Sequence, residues 1–199
     1  MAKQNRVISL RVELDGIVPP VWRQIAVDGD MTLRALHHVL QVAFGWTDAH
    51  LHEFSVEGYT YAMLDNEYVL EGDLNDDELL LDDRKPKLQK ILYVGQRFTY
   101  LYDFGDNWLH NIRVEKIEQR ADPMGSAWIV DGGRAGPPED VGGIGGYDEF
   151  VSTIQKAPDS DEARDYLNWL DGQFDSESFD RRMANAALLR MAANGWGKK

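Results

Sequence analysis

His50 and His52 stand two residues apart in "HLHEFSVEG". In an extended strand residues so spaced share one face, here with Phe54 and Val56. Neutral imidazole is a ligand for zinc, iron and nickel, so a His-x-His pair on a strand is a metal-binding geometry. Two ligands do not make a site. A third imidazole comes from "YLYDFGDNWLH", residues 100–110, where His110 shares a face with Trp108, Ile112 and Val114. If both strands turn these faces inward, His50, His52 and His110 meet, and Asp103 or Asp106 supplies a fourth ligand or a base. The plainer reading gives the three histidines hydrogen-bonding neighbours in an aromatic pocket, and gives Asp103 and Asp106 the ordinary duty of satisfying turn amides.

Aromatic residues surround these positions. Tryptophan and tyrosine combine apolar area with a polar tip, which suits a ligand pocket as well as a core. The candidate site is therefore Trp46, His50, His52, Tyr102, Asp103, Asp106, Trp108 and His110. It reads as the site of a non-enzymatic binding or interaction module that receives a small ligand or a protein segment and needs no cofactor. A metal-dependent hydrolase or nuclease, its divalent metal on His50, His52 and His110, is the alternative.

Other chemistries fail on their own motifs. "DFG" lacks the glycine-rich nucleotide loop, strand lysine and "HRD" that accompany it in kinases. "GGIGGY" lacks the Gly-Lys-Ser/Thr ending of a phosphate loop and reads as a flexible crossover. The segment from Asp73 follows an EF-hand for five positions, then has Glu78 for glycine and Arg84 for the bidentate glutamate. No serine sits in a Gly-x-Ser-x-Gly elbow. The chain has no cysteine, which removes disulfides, thiolate metal sites and thiol nucleophiles and fits a reducing, cytoplasmic setting.

Charge narrows the partners. With 21 basic and 34 acidic residues the formal net charge is −13, so the average surface repels nucleic acid. Seven carboxylates crowd "EGDLNDDELLLDD", residues 71–83, the pattern of a solvated loop or helix face. No apolar run is long enough to span a membrane, and "MAKQNRVISLRVEL" has no apolar core of a signal peptide.

The elements that must position these residues follow from periodicity. "RVISLRVEL" alternates with period two and predicts a half-buried strand; "PPVWRQIAV" predicts a second, with Pro19 and Pro20 at its start or on an edge. Leu33, Leu36, Val39, Leu40, Ala43 and Phe44 recur at helical spacing between a Thr32 or Asp30 cap and Gly45. His37 falls at the edge of that apolar arc as a packed, hydrogen-bonded histidine, whereas His38 points away into solvent. "HLHEFSVEG" and "YTYAML" predict two more strands, "QRFTYLYDF" and "NWLHNIRVEKIE" a hairpin, and "SAWIVDGG" a short strand. Residues 132–146, rich in glycine and proline, read as loop, and helices are expected over about 147–156, 160–170 and 179–193. The expected fold is one α+β domain over residues 1–199: a mixed or largely antiparallel sheet with one amphipathic helix on it, a β-grasp-like start, and a helical C-terminal portion.

Five blocks carry a resemblance: "LDGIVPPVWRQIAV", "TLRALHHVLQVAFGWTDAHLHEF", "YLYDFGDNWLHNIRVE", "GRAGPPEDVGGIGGYDEF" and "FDSESFD". In this order, over about residues 7–190, the chain resembles the plasmid pRiA4b ORF-3-like family. The resemblance implies a protein of a kind found on plasmids, beside insertion elements and on bacterial chromosomes, without an established activity. Some members are labelled resolvases, a role that needs a nucleophile and a basic DNA-binding surface and finds little help in this acidic chain. Many relatives carry cysteines in a "CPPEDCGG"-like run; Gly136 and Val141 stand there in this chain.

Overall fold

Ile8, Leu10, Val12 and Leu14 alternate with charged and polar residues, and the computed structural model turns all four into the core. It describes residues 5–64, 80–121, 124, 127–170 and 172–195; the acidic segment up to residue 79 lies outside these. The alternation belongs to β1 (Asn5–Leu14), which pairs antiparallel with β2 (Trp22–Asp28). Then come α1 (Leu33–Phe44), β3 (His52–Val56), β4 (Tyr59–Ala62), β5 (Leu80–Asp82), the short α2 (Leu88–Ile91), and the hairpin β6 (Arg97–Tyr102) and β7 (Trp108–Arg120). β8 (Trp128–Gly133) precedes α3 (Gly143–Lys156), α4 (Asp161–Trp169) and α5 (Arg181–Ala193).

The strands form one sheet in the order β5-β4-β3-β6-β7-β1-β2-β8, antiparallel throughout except for the parallel β4–β5 pair. The β6–β7 hairpin thus lies at its centre, between the β1–β2 and β3–β4 pairs. That places Tyr100, Tyr102, Trp108 and His110 in the middle of the sheet, where all four are buried. The β3–β4 turn has Glu57 and Gly58 both at positive φ, the backbone of a tight hairpin whose twist matches its strands.

Helix α1 forms where its apolar spacing predicts it. The Thr32 hydroxyl accepts from Ala35 N, a cap that contributes about 1 kcal/mol. Gly45 ends the helix in the left-handed region at φ 87°. Its inner face, Leu33, Leu36, Val39, Leu40, Ala43 and Phe44, joins the inward residues of β1, β2, β3, β6 and β7 in one core. Burying each leucine-sized side chain contributes about 2 kcal/mol.

The C-terminal helices close onto this core through Tyr147, Phe150 and Leu188. Asn185 of α5 donates to Ile129 O and accepts from Ile129 N, both at 2.9 Å, so a side-chain amide replaces the strand neighbour that edge strand β8 lacks. Ser160 and Asp180 cap α4 and α5.

One expectation is corrected. The run "GGIGGY" is not crossover loop, because α3 already begins at Gly143. Composition reads these glycines as flexibility, whereas the fold uses two of them, Gly143 and Gly146, for close approach. A Cβ at Gly143 would lie 2.7 Å from Asp106 O, and one at Gly146 would lie 2.0 Å from Val141 O. Among the described residues no helix is long and apolar enough to cross a membrane.

Candidate functional site

The central hairpin turns at "DFGDN". Asp103 and Asn107 both adopt positive φ, 57° and 58°, a region that aspartate and asparagine tolerate better than most residues. Asp103 Oδ1 accepts from Gly105 N at 2.9 Å, and Asp103 O accepts from Asn107 N at 2.6 Å. Its second carboxylate oxygen remains for another partner, and His50 Nε2 lies 3.6 Å away. Turn duty and site duty therefore fall on different oxygens of one side chain.

His50 lies ahead of β3, which begins at His52. The segment 45–51 is held by bonds that no strand pattern contains: Asp48 N donates to Gln41 Oε1, and Ala49 N donates to the Tyr102 hydroxyl. His50 Nε2 faces three carboxylates, Asp140 Oδ1 at 3.0 Å, Asp103 Oδ2 at 3.6 Å and Glu139 Oε2 at 3.9 Å, yet none of these contacts has hydrogen-bond geometry. The ligand atoms of His50, Asp103 and Asp140 all lie within 4.8 Å of one another. Asp140, like Asp103, is held at positive φ.

The loop carrying Glu139 and Asp140 is fastened to the end of α1. Trp46 Nε1 donates to Pro137 O at 2.9 Å, and Glu139 Oε1 accepts from Thr47 N at 2.8 Å and from the Tyr102 hydroxyl at 3.0 Å. Burial first, and then the Glu139 charge, push the Tyr102 phenol well above its ordinary value, so it remains a proton donor. A Cβ at Gly136 would lie 2.0 Å from Phe44 O, so only glycine lets the loop come this close. Asp106 stays out of the cluster; its Oδ2 accepts from Gly142 N and ties the hairpin tip to the start of α3.

The remaining expected residues lie deeper. His52 Nε2 donates to Asp83 Oδ2 at 2.9 Å, and Arg34 grips the same carboxylate with Nε and Nη2 at 2.8 and 2.9 Å. His110 is fully enclosed. Its Nδ1 donates towards Trp108 O at 2.9 Å and Tyr100 O at 3.2 Å, while Phe44 and Trp46 meet its ring edge-on. Burial pulls its pKa down to about 3, so it is neutral. Trp108 lies beside it in the core. The trio His50, His52 and His110 is thus not gathered at one point: His50 faces the carboxylates, His52 faces Asp83, and His110 faces backbone carbonyls. A period-two reading fails here because His50 is not in the strand.

A second polar group sits beneath. Gln41 Nε2 donates to the Tyr100 hydroxyl at 3.0 Å, which leaves the phenol proton for His37 Nδ1 at 2.8 Å. His37 Nε2 then carries the hydrogen and donates to Asp48 Oδ1 at 2.7 Å. Burial lowers the His37 pKa to about 3 despite Asp48, so the ring is neutral. Burial favours a protonated Asp48, but bonds from His37 and His38 outweigh it and hold the carboxyl well below its ordinary range. His38, expected in solvent, instead lies against Asp48, with Nδ1 3.4 Å from Oδ2. His37, His38 and Asp48 also have metal-ligating spacing, yet both nitrogens of His37 already have partners.

Of the residues expected from the sequence, His50, Asp103, Tyr102 and Trp46 come together here, joined by Glu139 and Asp140, which the sequence did not single out. Their one local signal is a carboxylate pair in "PPED", flanked by proline and glycine that fix the backbone.

The plasmid pRiA4b ORF-3-like family model matches residues 6–183. The uncharacterized protein y4hQ of Sinorhizobium fredii (strain NBRC 101917 / NGR234) is 34% identical over 195 residues, covering 97% of this chain and 95% of that protein. The crystal structure of protein of unknown function MM3350 from Methanosarcina mazei Go1 is similar with a TM-score of 0.77 at 32% identity, over 92% of this chain and 98% of that one. Neither name assigns an activity. With a family match and a relative that both run nearly end to end, this chain belongs to the plasmid pRiA4b ORF-3-like family.

Proposed function

We propose that this protein is a binding module organised around a divalent cation, held by His50, Asp103 and Asp140 with Glu139 beside them. The observation that carries this reading is the surroundings of one nitrogen: three carboxylates approach His50 Nε2 within 3.9 Å without hydrogen bonds to it. Carboxylates crowded together repel, and a cation relieves that cost. One imidazole with carboxylate oxygens is a donor set for zinc, iron or manganese. The aromatic residues of the expected pocket, Trp46 and Tyr102, fix the loop that brings Glu139 and Asp140 to His50.

Asp140 has a side chain 68% exposed, which leaves one side of the cluster open to a small ligand or a protein segment with an oxygen donor. That open side also supports the second reading, metal-dependent hydrolysis, in which a bound cation polarises a substrate oxygen or activates water. Calorimetric titration of Zn²⁺ and Mn²⁺ into metal-stripped, untagged protein tests the proposal. The expected result is one site per chain that His50→Ala and Asp103→Asn each weaken at least about tenfold. Substoichiometric binding unchanged by either substitution overturns it.

A further inference from the structure

The sheet's other face carries a row of arginines. Arg11, Glu13, Arg97, Thr99, Asn111 and Arg113 alternate with the core residues Val12, Phe98 and Ile112 and therefore point away from α1. Strand register sets three arginines in one row: Arg97 is the direct partner of Arg113 across β6–β7, and Arg113 of Arg11 across β7–β1. Two residues along, the next row is Ser55, Thr99, Asn111 and Glu13, again direct partners on β3, β6, β7 and β1, with the Glu13 carboxylate turned to Arg11. Together they line a groove of about 410 Å³ whose floor is Phe98 and Ile112.

Like charges directly opposite one another across a ladder repel. Arg11 is compensated, since Glu13 accepts from its Nε at 2.8 Å and its guanidinium lies 3.6 Å above the Trp22 ring. Arg97 and Arg113 are not: among the described residues neither has a carboxylate partner, although the chain as a whole carries a net charge of −13. Two exposed guanidinium groups without a carboxylate partner, beside the Ser55 and Thr99 hydroxyls, form a donor array for a multivalent oxyanion. Guanidinium forks bind phosphate oxygens two at a time, and hydroxyls satisfy the rest.

We propose that this groove is a binding site for a small phosphate-bearing ligand, held by Arg97 and Arg113 with Ser55 and Thr99. A short ligand fits better than a nucleic acid, because the basic row is three residues wide and the chain beyond it carries an excess of carboxylates, for a net charge of −13. The site lies across the sheet from His50 and does not depend on the cation reading.

Inorganic pyrophosphate, which carries two phosphoryl groups to span neighbouring arginines, is the probe. Titrated into the full chain at low ionic strength and followed by calorimetry and by the arginine Nε–H resonances, it is expected to saturate one site and to shift Arg97 and Arg113. Arg113→Gln is expected to weaken binding about tenfold, and Arg113→Lys, which keeps the charge but loses the fork, several-fold. Lys116→Gln removes the same charge from an exposed lysine paired with Glu118, and is expected to leave affinity unchanged. His50→Ala is likewise expected to leave it unchanged. Equal weakening by Lys116→Gln and Arg113→Gln, or no saturable binding at low salt, overturns the site. A single-stranded oligonucleotide binding more than about tenfold tighter than pyrophosphate overturns the small-ligand assignment.

Discussion

His37 and His52 stack face to face, ring centroids 3.6 Å apart and planes 8° from parallel. Each has its own carboxylate, Asp48 for His37 and Asp83 for His52. Two imidazolium rings at that separation inside a core would repel strongly, and burial already lowers both pKa values, His37 to about 3.

A pH dependence follows, with a definite sign. The unfolded chain takes up protons on these histidines near pH 6.5, while folded His37, His52 and His110 resist protonation, His37 and His110 down to about 3. The folded state therefore binds fewer protons below 6.5, and stability that is full above that pH falls as the pH drops. Each histidine that stays neutral contributes a slope of up to about 1.4 kcal/mol per pH unit. Asp48 and Asp83, held below their ordinary 3.8, extend the decline at lower pH. Urea melts at pH 7.5, 6.0 and 5.0 are expected to show midpoints that fall progressively, and less steeply in His52→Phe. A midpoint constant across that range would contradict the neutral pair.

Asp83 is fully buried between Arg34 and His52, so Asp83→Asn leaves a guanidinium without its counter-charge. The expected loss is about 3–5 kcal/mol in chemical denaturation. Replacing both partners, Arg34→Met with Asp83→Leu, is expected to cost less than the single change, since no unpaired charge remains. A single variant within about 1 kcal/mol of the native chain would show that the pair is not sealed from water.

Much of this frame was legible in local pattern. The spacing of Leu33 to Phe44 and the caps Thr32 and Gly45 are signals within one helix, and the hairpin announces itself by alternation around "FGDN". The cluster at His50 was only half legible. Its imidazole and Asp103 stood out by residue type, but Asp140 reaches them through a loop positioned by Trp46, Thr47 and Tyr102, contacts that leave no periodicity in the chain. The same holds for "GGIGGY": composition cannot tell glycines that loosen a chain from glycines that let two backbones touch. His52 and His110 looked like ligands because residue type says nothing about which neighbour takes the nitrogen.

Gly136→Ala tests that loop without touching a ligand. Its Cβ would meet Phe44 O, so the segment carrying Glu139 and Asp140 must shift away from α1. Outer contacts of a metal site act through ligand orientation, and the expected effect is a loss of cation affinity of about tenfold. Unchanged affinity in a folded Gly136→Ala protein would mean the loop does not set the cluster.

The most direct test is anomalous diffraction from crystals of the untagged protein soaked in Zn²⁺. One dominant peak is expected about 2.0–2.2 Å from His50 Nε2 and from a carboxylate oxygen of Asp103 and of Asp140. A dominant peak elsewhere, or His50 Nε2 hydrogen-bonded to a carboxylate with no peak beside it, would contradict it.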